Sequence, residues 1–212
     1  MSTTKLQRLI IGVFGGLLPL LLLWMHDWVQ LRSMSHYYYT GAAVAFIGIL
    51  GSFSLILITY QGYAKEAGEK WSDSLITTVA GIAAALVVLI PTASDGVEGL
   101  DYIDQPYLMG YAENGFKNVA HLLSAGVFIS LLGYMSFAKF TRSRVITVRL
   151  WNMYRTCGII VWACIGALAI LIVLDRGFGI EVSSWFPAYV FWLEAVAIWA
   201  FSVAWIRKGL HL

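Results

Sequence analysis

Six mostly apolar stretches recur along the chain, at residues 9–25, 41–61, 75–91, 119–138, 156–174 and 186–206, and nearly all charged residues lie between them. A helix that crosses a bilayer needs ~20 mostly apolar residues, so each stretch has the length of a span. Backbone groups in lipid must be paired within the segment, which makes these runs helices. Only 12% of residues are charged, about half the share of an ordinary soluble domain. The fold class expected is therefore all-α: one polytopic membrane domain over residues 1–212, a bundle of six transmembrane helices.

Lys and Arg set the expected orientation. With the N-terminus in the cytoplasm, eleven of the fourteen fall on the inner side: Lys5, Arg8, Lys65, Lys70, Lys139, Arg142, Arg144, Arg149, Arg155, Arg207 and Lys208. Only Arg32, Lys117 and Arg176 fall outside. This is the positive-inside pattern, it holds at every loop, and it puts both termini in the cytoplasm. The outer loop 93–118 is acidic, with Asp95, Glu98, Asp101, Asp104 and Glu113. Trp24, Trp28 and Trp185 are expected in an outer aromatic belt with Tyr37, Tyr38 and Tyr39. Tyr60, Tyr63, Trp71, Trp151, Tyr154 and Trp205 are expected in an inner one. Lys5 and Arg8 before an apolar run invite a signal-peptide reading, but no small-residue cleavage pattern follows, so the first helix is expected to be retained and to bend at Pro19.

Glu194 is the residue that most needs explaining. It lies eight residues into the last apolar stretch, ~12 Å along a helix. A carboxyl there costs ~2.5–3.5 kcal/mol on insertion scales, so it should face the bundle interior with a partner. Two readings stand beside each other, a ligand- or proton-handling carboxylate and an interhelical anchor. His121 opens the fourth stretch on the same side of the membrane and shares a helix face with Ser124. A His121–Glu194 contact is compatible in depth. The segment Ser33-Met34-Ser35-His36-Tyr37-Tyr38-Tyr39-Thr40 leads into the second helix and is rich in hydroxyls and rings. It suits helix capping, interface packing or a head-group pocket.

His26, His36 and His121 all fall on the outer side, with Asp27 and Asp95 near in depth, so a zinc site can be drawn from them. None has the H-x-x-x-H or H-E-x-x-H spacing, and no metal or other cofactor is the leading expectation. Cys157 and Cys164 are seven apart on one helix, ~10 Å between backbones, too far for a disulfide. Gly12-x-x-x-Gly16, and Gly81 among Ala80, Ala83, Ala84 and Ala85, have the spacing of close helix contacts. The basic segment from Lys139 to Arg155 suits an inner membrane surface, with Arg155 as an inner-face lipid or packing contact.

The pattern Ser33-x-Ser35-x-Tyr37-Tyr38-x-Thr40 resembles an uncharacterised family of bacterial six-helix integral membrane proteins. Gly62-Tyr63, Pro91-Thr92, His121, Tyr154-Arg155-x-Cys157-Gly158 and Glu194 extend that likeness over nearly the whole chain. Ser35, His121 and Glu194 are also remotely similar to positions of the damage-regulated autophagy modulator superfamily, whose members are associated with membrane lipid organisation. Their Glu-Trp pair is here Glu194-Ala195. The membrane hydrolases that include alkaline ceramidases are a poorer comparison, since the chain lacks their seventh helix and their His-x-x-x-His.

The expected protein is thus a lipid-associated, multi-pass protein of a bacterial inner membrane. Its outward-facing polar site combines Ser35, His36, Tyr37, Tyr38, Thr40, His121 and Glu194. A metal-dependent hydrolase or lipid-remodelling enzyme, and a proton-coupled transporter, are the alternatives. Membrane lipids are the expected partners, a homo-oligomer or a place in a larger membrane complex is compatible with the sequence, and no nucleic-acid partner is expected.

Overall fold

The structure is a computed structural model that describes residues 3–66, 68–93, 115–142 and 146–210. Among these residues helices are the regular elements, and there is no strand. Six long helices appear: α1 (Thr3–Met25), α2 (Ala43–Ile58), α3 (Asp73–Leu89), α4 (Gly115–Tyr134), α5 (Val148–Gly177) and α7 (Tyr189–Leu210). The short helix α6 (Val182–Trp185) precedes α7, and a tight 3-10 turn, Met34–Tyr39, joins α1 to α2. The acidic residues 95–113 fall outside the described residues.

Four helical segments are long and apolar enough to cross a membrane: Thr3–Met25, Gly115–Arg142, Val148–Asp175 and Tyr189–Leu210. The two others are apolar but shorter, α2 with 16 residues and α3 with 17. At 1.5 Å per residue α2 spans ~24 Å, less than the ~30 Å hydrocarbon core. The second expected stretch loses residues at both ends, since Thr40 is extended and bonds the Tyr37 carbonyl before the helix begins, and Thr59 is the C-cap.

Packing follows chain order around a ring, α1 on α2, α2 on α3, α3 on α4, α4 on α5, α5 on α7 and α7 back on α1. The outside of the ring is apolar. Val44, Leu55, Leu123 and Ile170 are each more than 60% exposed, which only an apolar solvent tolerates on every face. Lipid offers helices no hydrophobic drive to associate, so close van der Waals approach must do it. A methyl group on Gly12 would lie 2.6 Å from Ile206 Cγ1 and 2.8 Å from Ile206 N, so the small-residue spacing of α1 is its seam with α7. Gly81 plays the same part between α3 and α2, with the Ser54 carbonyl 2.7 Å from where its Cβ would be. Helix α1 runs on through Pro19. One turn earlier the Gly16 carbonyl takes the Trp199 indole N–H at 3.0 Å, from α7.

The two ends of the ring differ in chemistry. At one end α4 widens into a π turn, Met135–Lys139, and a 3-10 turn, Phe140–Arg142. These turns carry Lys139 and Arg142 to Asp73, which is 1% exposed at the start of α3. Arg142 Nη2 reaches Asp73 Oδ1 at 2.7 Å and Lys139 Nζ reaches it at 3.3 Å, and Glu69 pairs with both cations. The Tyr63 N–H donates to the other Asp73 oxygen at 3.1 Å. Gly62 makes this possible, since its φ is +62° and a Cβ there would meet Asp73 Cβ at 2.5 Å. Arg8 donates to the Tyr60 hydroxyl at 2.8 Å, and Lys208 donates to the Phe140 carbonyl at 3.0 Å.

This basic end corrects the expected inner aromatic belt. Tyr60, Tyr154 and Trp205 are at most 2% exposed and pack with Phe140 around the buried cations. Trp71 and Trp151 do face outwards. At the other end Trp24, Trp28 and Trp185 are exposed, whereas Tyr37, Tyr38 and Tyr39 are buried in the core. Cys157 and Cys164 are free and buried, as their spacing requires.

Candidate functional site

The end opposite the basic cluster holds a cavity of about 210 Å³. Its walls come from the Met34–Tyr39 turn with the residues just before it, the first turns of α4 and α7, and the last turns of α5. Helices α4 and α5 touch through their other halves, where Gly133 meets Val161 and Gly158 meets Phe137. Their cavity-end halves form two walls, Asn118 to Ala125 and Ile172 to Asp175, with the space between. A smaller void of about 30 Å³ lies against the same Ser35, Ala125 and Glu194.

His121 is 2% exposed on the cavity wall of α4. Its Nδ1 lies 2.7 Å from the Ile90 carbonyl and its Nε2 lies 2.9 Å from Ser35 Oγ. A carbonyl only accepts, so Nδ1 carries a proton. Nε2 of the neutral ring is then the acceptor, and the Ser35 hydroxyl donates to it. Local sequence explains the carbonyl. Ile90 closes α3 just before Pro91, and a residue before proline is driven out of the helical region. Its φ of −114° and ψ of 94° follow, and the Ile90 carbonyl is free of any helical donor.

Glu194 Oε2 accepts the Met34 N–H at 2.9 Å. One turn earlier on α7, the Phe191 N–H donates to the Arg32 carbonyl at 2.9 Å. That N–H belongs to the first turn of α7, where no intrahelical acceptor exists. Helix α7 therefore pins the segment before Ser35 at two points three residues apart on one face. Glu194 and His121 line the same cavity but share no hydrogen bond or ion pair. Ser35 is what connects them, through its bond to His121 and its place next to Met34.

The rest of the expected site divides. His36 lines the cavity and its Nδ1 lies 2.7 Å from Ser33 Oγ. Tyr37 is fully buried, donates to the Val29 carbonyl at 2.9 Å, and packs edge-on against His26 and at a tilt against Phe191. Burial pushes its phenol above the ordinary value of 10.0, against the smaller lowering effect of the Leu31 N–H. Tyr38 packs edge-on against Tyr39 and Phe46. Thr40 bonds the Tyr37 carbonyl at 2.9 Å and takes the Ala42 N–H at 3.1 Å, so it starts α2. None of these three lines the cavity. Arg155 lies at the basic end, its guanidinium 4.2 Å from the Phe137 ring centre and 4.5 Å from that of Trp151.

The three histidines drawn as zinc ligands are held apart by different partners, His26 by Tyr37, His36 by Ser33, and His121 by Ser35 and Ile90. Among the described residues no three His, Cys, Asp or Glu side chains converge on a point, and Asp95 lies outside those residues.

Sequence reasoning missed Arg32, Thr92, Asn118 and Asp175. Asn118 precedes His121 by three positions and so faces the same way, a signal that was there to read. Asn118 lines the cavity, and its Oδ1 accepts the Thr92 hydroxyl at 3.2 Å and faces the Ala93 N–H at 3.4 Å. Asp175 Oδ1 accepts the Val182 N–H at 3.2 Å, which ties α6 down beside the cavity. A shallow apolar groove of about 350 Å³ runs along α4 from Leu122 and Leu123 to Ser130 and Leu131. Leu122 lines both the mixed polar and apolar cavity and the groove.

No protein-family model, no curated protein and no solved structure matches the chain.

Proposed function

We propose that the protein is a six-span membrane protein that holds the polar part of a membrane lipid in the cavity beside Ser35, His121 and Glu194. The basic end faces the cytoplasm with both termini, and the cavity opens to the outer side. The Lys and Arg distribution supports this orientation and suits a bacterial inner membrane.

One observation carries the lipid reading, a cavity of mixed polar and apolar lining that shares Leu122 of α4 with an apolar groove along the same helix. At about 210 Å³ the cavity is smaller than the ~300–1,000 Å³ that encloses a whole small molecule. It suits one polar group whose apolar remainder lies elsewhere, along α4. Arg32 puts a cation on the wall, and Asp175 and Glu194 put carboxyls there. A zwitterionic head group presents both complementary charges.

Native mass spectra of the protein in mild detergent test this, with metal analysis of the same sample. The expected result is one co-purified lipid per chain, weakened in Glu194→Gln and His121→Ala while the fold persists. Equal lipid retention in wild type and both variants would remove the site from consideration, and stoichiometric zinc would favour a metal-dependent hydrolase instead.

A further inference from the structure

Resting on the lipid reading above, we infer that Ser35 is a nucleophile and His121 its general base, and that the cavity transfers the acyl group of a lipid carboxylic ester.

Three observations carry this beyond binding. The first is orientation on both sides of the imidazole. The Ile90 carbonyl, 2.7 Å from Nδ1, holds the proton there, and the lone pair of Nε2 faces Ser35 Oγ at 2.9 Å. Nucleophile, base and a third group that fixes the base are the recurring parts of an activated serine. Here the third group is a backbone carbonyl rather than a carboxylate. The second is that the serine is held from the other direction too. Its neighbour Met34 is tied to Glu194 at 2.9 Å, and Arg32 is tied to α7 through its carbonyl. Glu194 is thus a positioning residue for Ser35. The third is access. Ser35 and His121 both line the cavity, and Leu122 on the same wall also lines the apolar groove along α4, the surface on which an acyl chain would lie. A purely structural serine–histidine bond has no need of a cavity wall.

The Ser33–His36 pair in the same cavity is a local i, i+3 contact through Nδ1, whereas Ser35 and His121 are 86 positions apart.

The chemistry balances without a redox partner or metal. Ser35 Oγ attacks the ester carbonyl carbon while its proton passes to His121 Nε2. The tetrahedral oxyanion collapses, the ester C–O bond breaks, and the leaving alcohol takes the proton from Nε2. Water, or the hydroxyl of a second lipid, then attacks the acyl-Ser35 carbonyl and gives its proton to Nε2. The acyl–Oγ bond breaks and Ser35 Oγ recovers that proton. Hydrolysis releases a fatty acid, and transfer moves the acyl group to the second lipid. Asn118 and Arg32, both on the cavity wall, are the donor-bearing side chains assigned to the developing oxyanion.

The test is labelling of the full-length protein in phosphatidylethanolamine nanodiscs with a long-chain alkyl fluorophosphonate. The Oγ–P bond forms, fluoride leaves and the serine proton passes through His121. Intact mass and peptide mapping should find one adduct, on Ser35. Ser35→Ala should abolish it, and His121→Gln should slow it by ~100-fold or more. Fatty-acid release from the same nanodiscs, stopped by the probe in wild type, gives a readout that needs no variant. An unlabelled wild type that still co-purifies lipid overturns the acyl-transfer proposal and leaves the lipid reading standing. An adduct on Ser33 or elsewhere overturns it too, as does undiminished labelling of a folded His121→Gln. A wild type with neither label nor lipid overturns both.

Discussion

Ser35 Oγ and His121 Nε2 lie 2.9 Å apart across 86 positions of sequence, and the bond between them closes the loop before α2 onto the start of α4. That bond is also the point where α3 enters, because the Ile90 carbonyl holds the other side of the same ring.

Removing the ring should therefore cost stability as well as function. His121→Ala strips partners from a buried hydroxyl and a buried carbonyl, each worth ~1–3 kcal/mol when left unpaired. Thermal unfolding in detergent should show the loss. An unchanged melting temperature would mean that water replaces the ring at no cost.

Glu194 separates charge from hydrogen bonding. Glu194→Gln keeps an acceptor for the Met34 N–H and should stay close to wild-type stability. Glu194→Leu leaves that N–H without its acceptor and should lose ~1–3 kcal/mol. If both substitutions behave alike in thermal unfolding, the Met34 contact is not what holds the turn.

At the basic end Asp73 gathers two cations inside the protein. Asp73→Ala leaves Lys139 buried and Arg142 half-buried without that carboxylate, a loss of ~3–5 kcal/mol by the measure of broken buried pairs. Glu69 retains part of the pairing, so the lower figure is expected. Gly62→Ala should weaken the same region, because its φ of +62° and the nearby Asp73 leave no room for a methyl group. Both variants are measurable by fluorescence-detected size exclusion after heating.

Tyr37 sets an alkaline limit. Burial raises its phenol above 10.0, so the folded protein keeps a proton that the unfolded chain gives up near pH 10. The stability tied to that proton is complete below pH ~10 and is lost as pH rises through the folded-state value. Tyr37→Phe should lose ~0.5–1.5 kcal/mol at neutral pH with the bond to Val29. Its stability should then fall less steeply than wild type above pH 10. Parallel curves in melting experiments between pH 8 and 11 would contradict this.

Helix identity was legible because it rests on runs of apolar residues, and the seams at Gly12 and Gly81 were legible because small residues have a spacing. The depth of Glu194 and the position of His121 pointed to one end of the molecule for the same reason. What sequence could not supply were the partners that belong to the backbone. The Ile90 carbonyl and the Met34 N–H carry no side-chain signal, yet they orient His121 and hold Glu194. The tyrosines misled because a ring near a helix end reads equally as interface anchor or as core. Tyr37 found an acceptor and Tyr38 found ring neighbours inside, and Tyr60 found a donor in Arg8 at the other end. Asp73, with Lys139 and Arg142, read as loop charge because their pairing joins residues about 70 positions apart.

The most direct measurement is photo-crosslinking of the full-length protein in nanodiscs with a phosphatidylethanolamine that carries a diazirine near the ester, followed by peptide mapping. Adducts should concentrate on Leu122 and Ala125 of α4 and Ile172 of α5, and excess unlabelled lipid should displace them. Adducts spread evenly over the outer ring, with Val44 and Leu55 of α2 labelled as strongly as Leu122, would contradict the lipid reading.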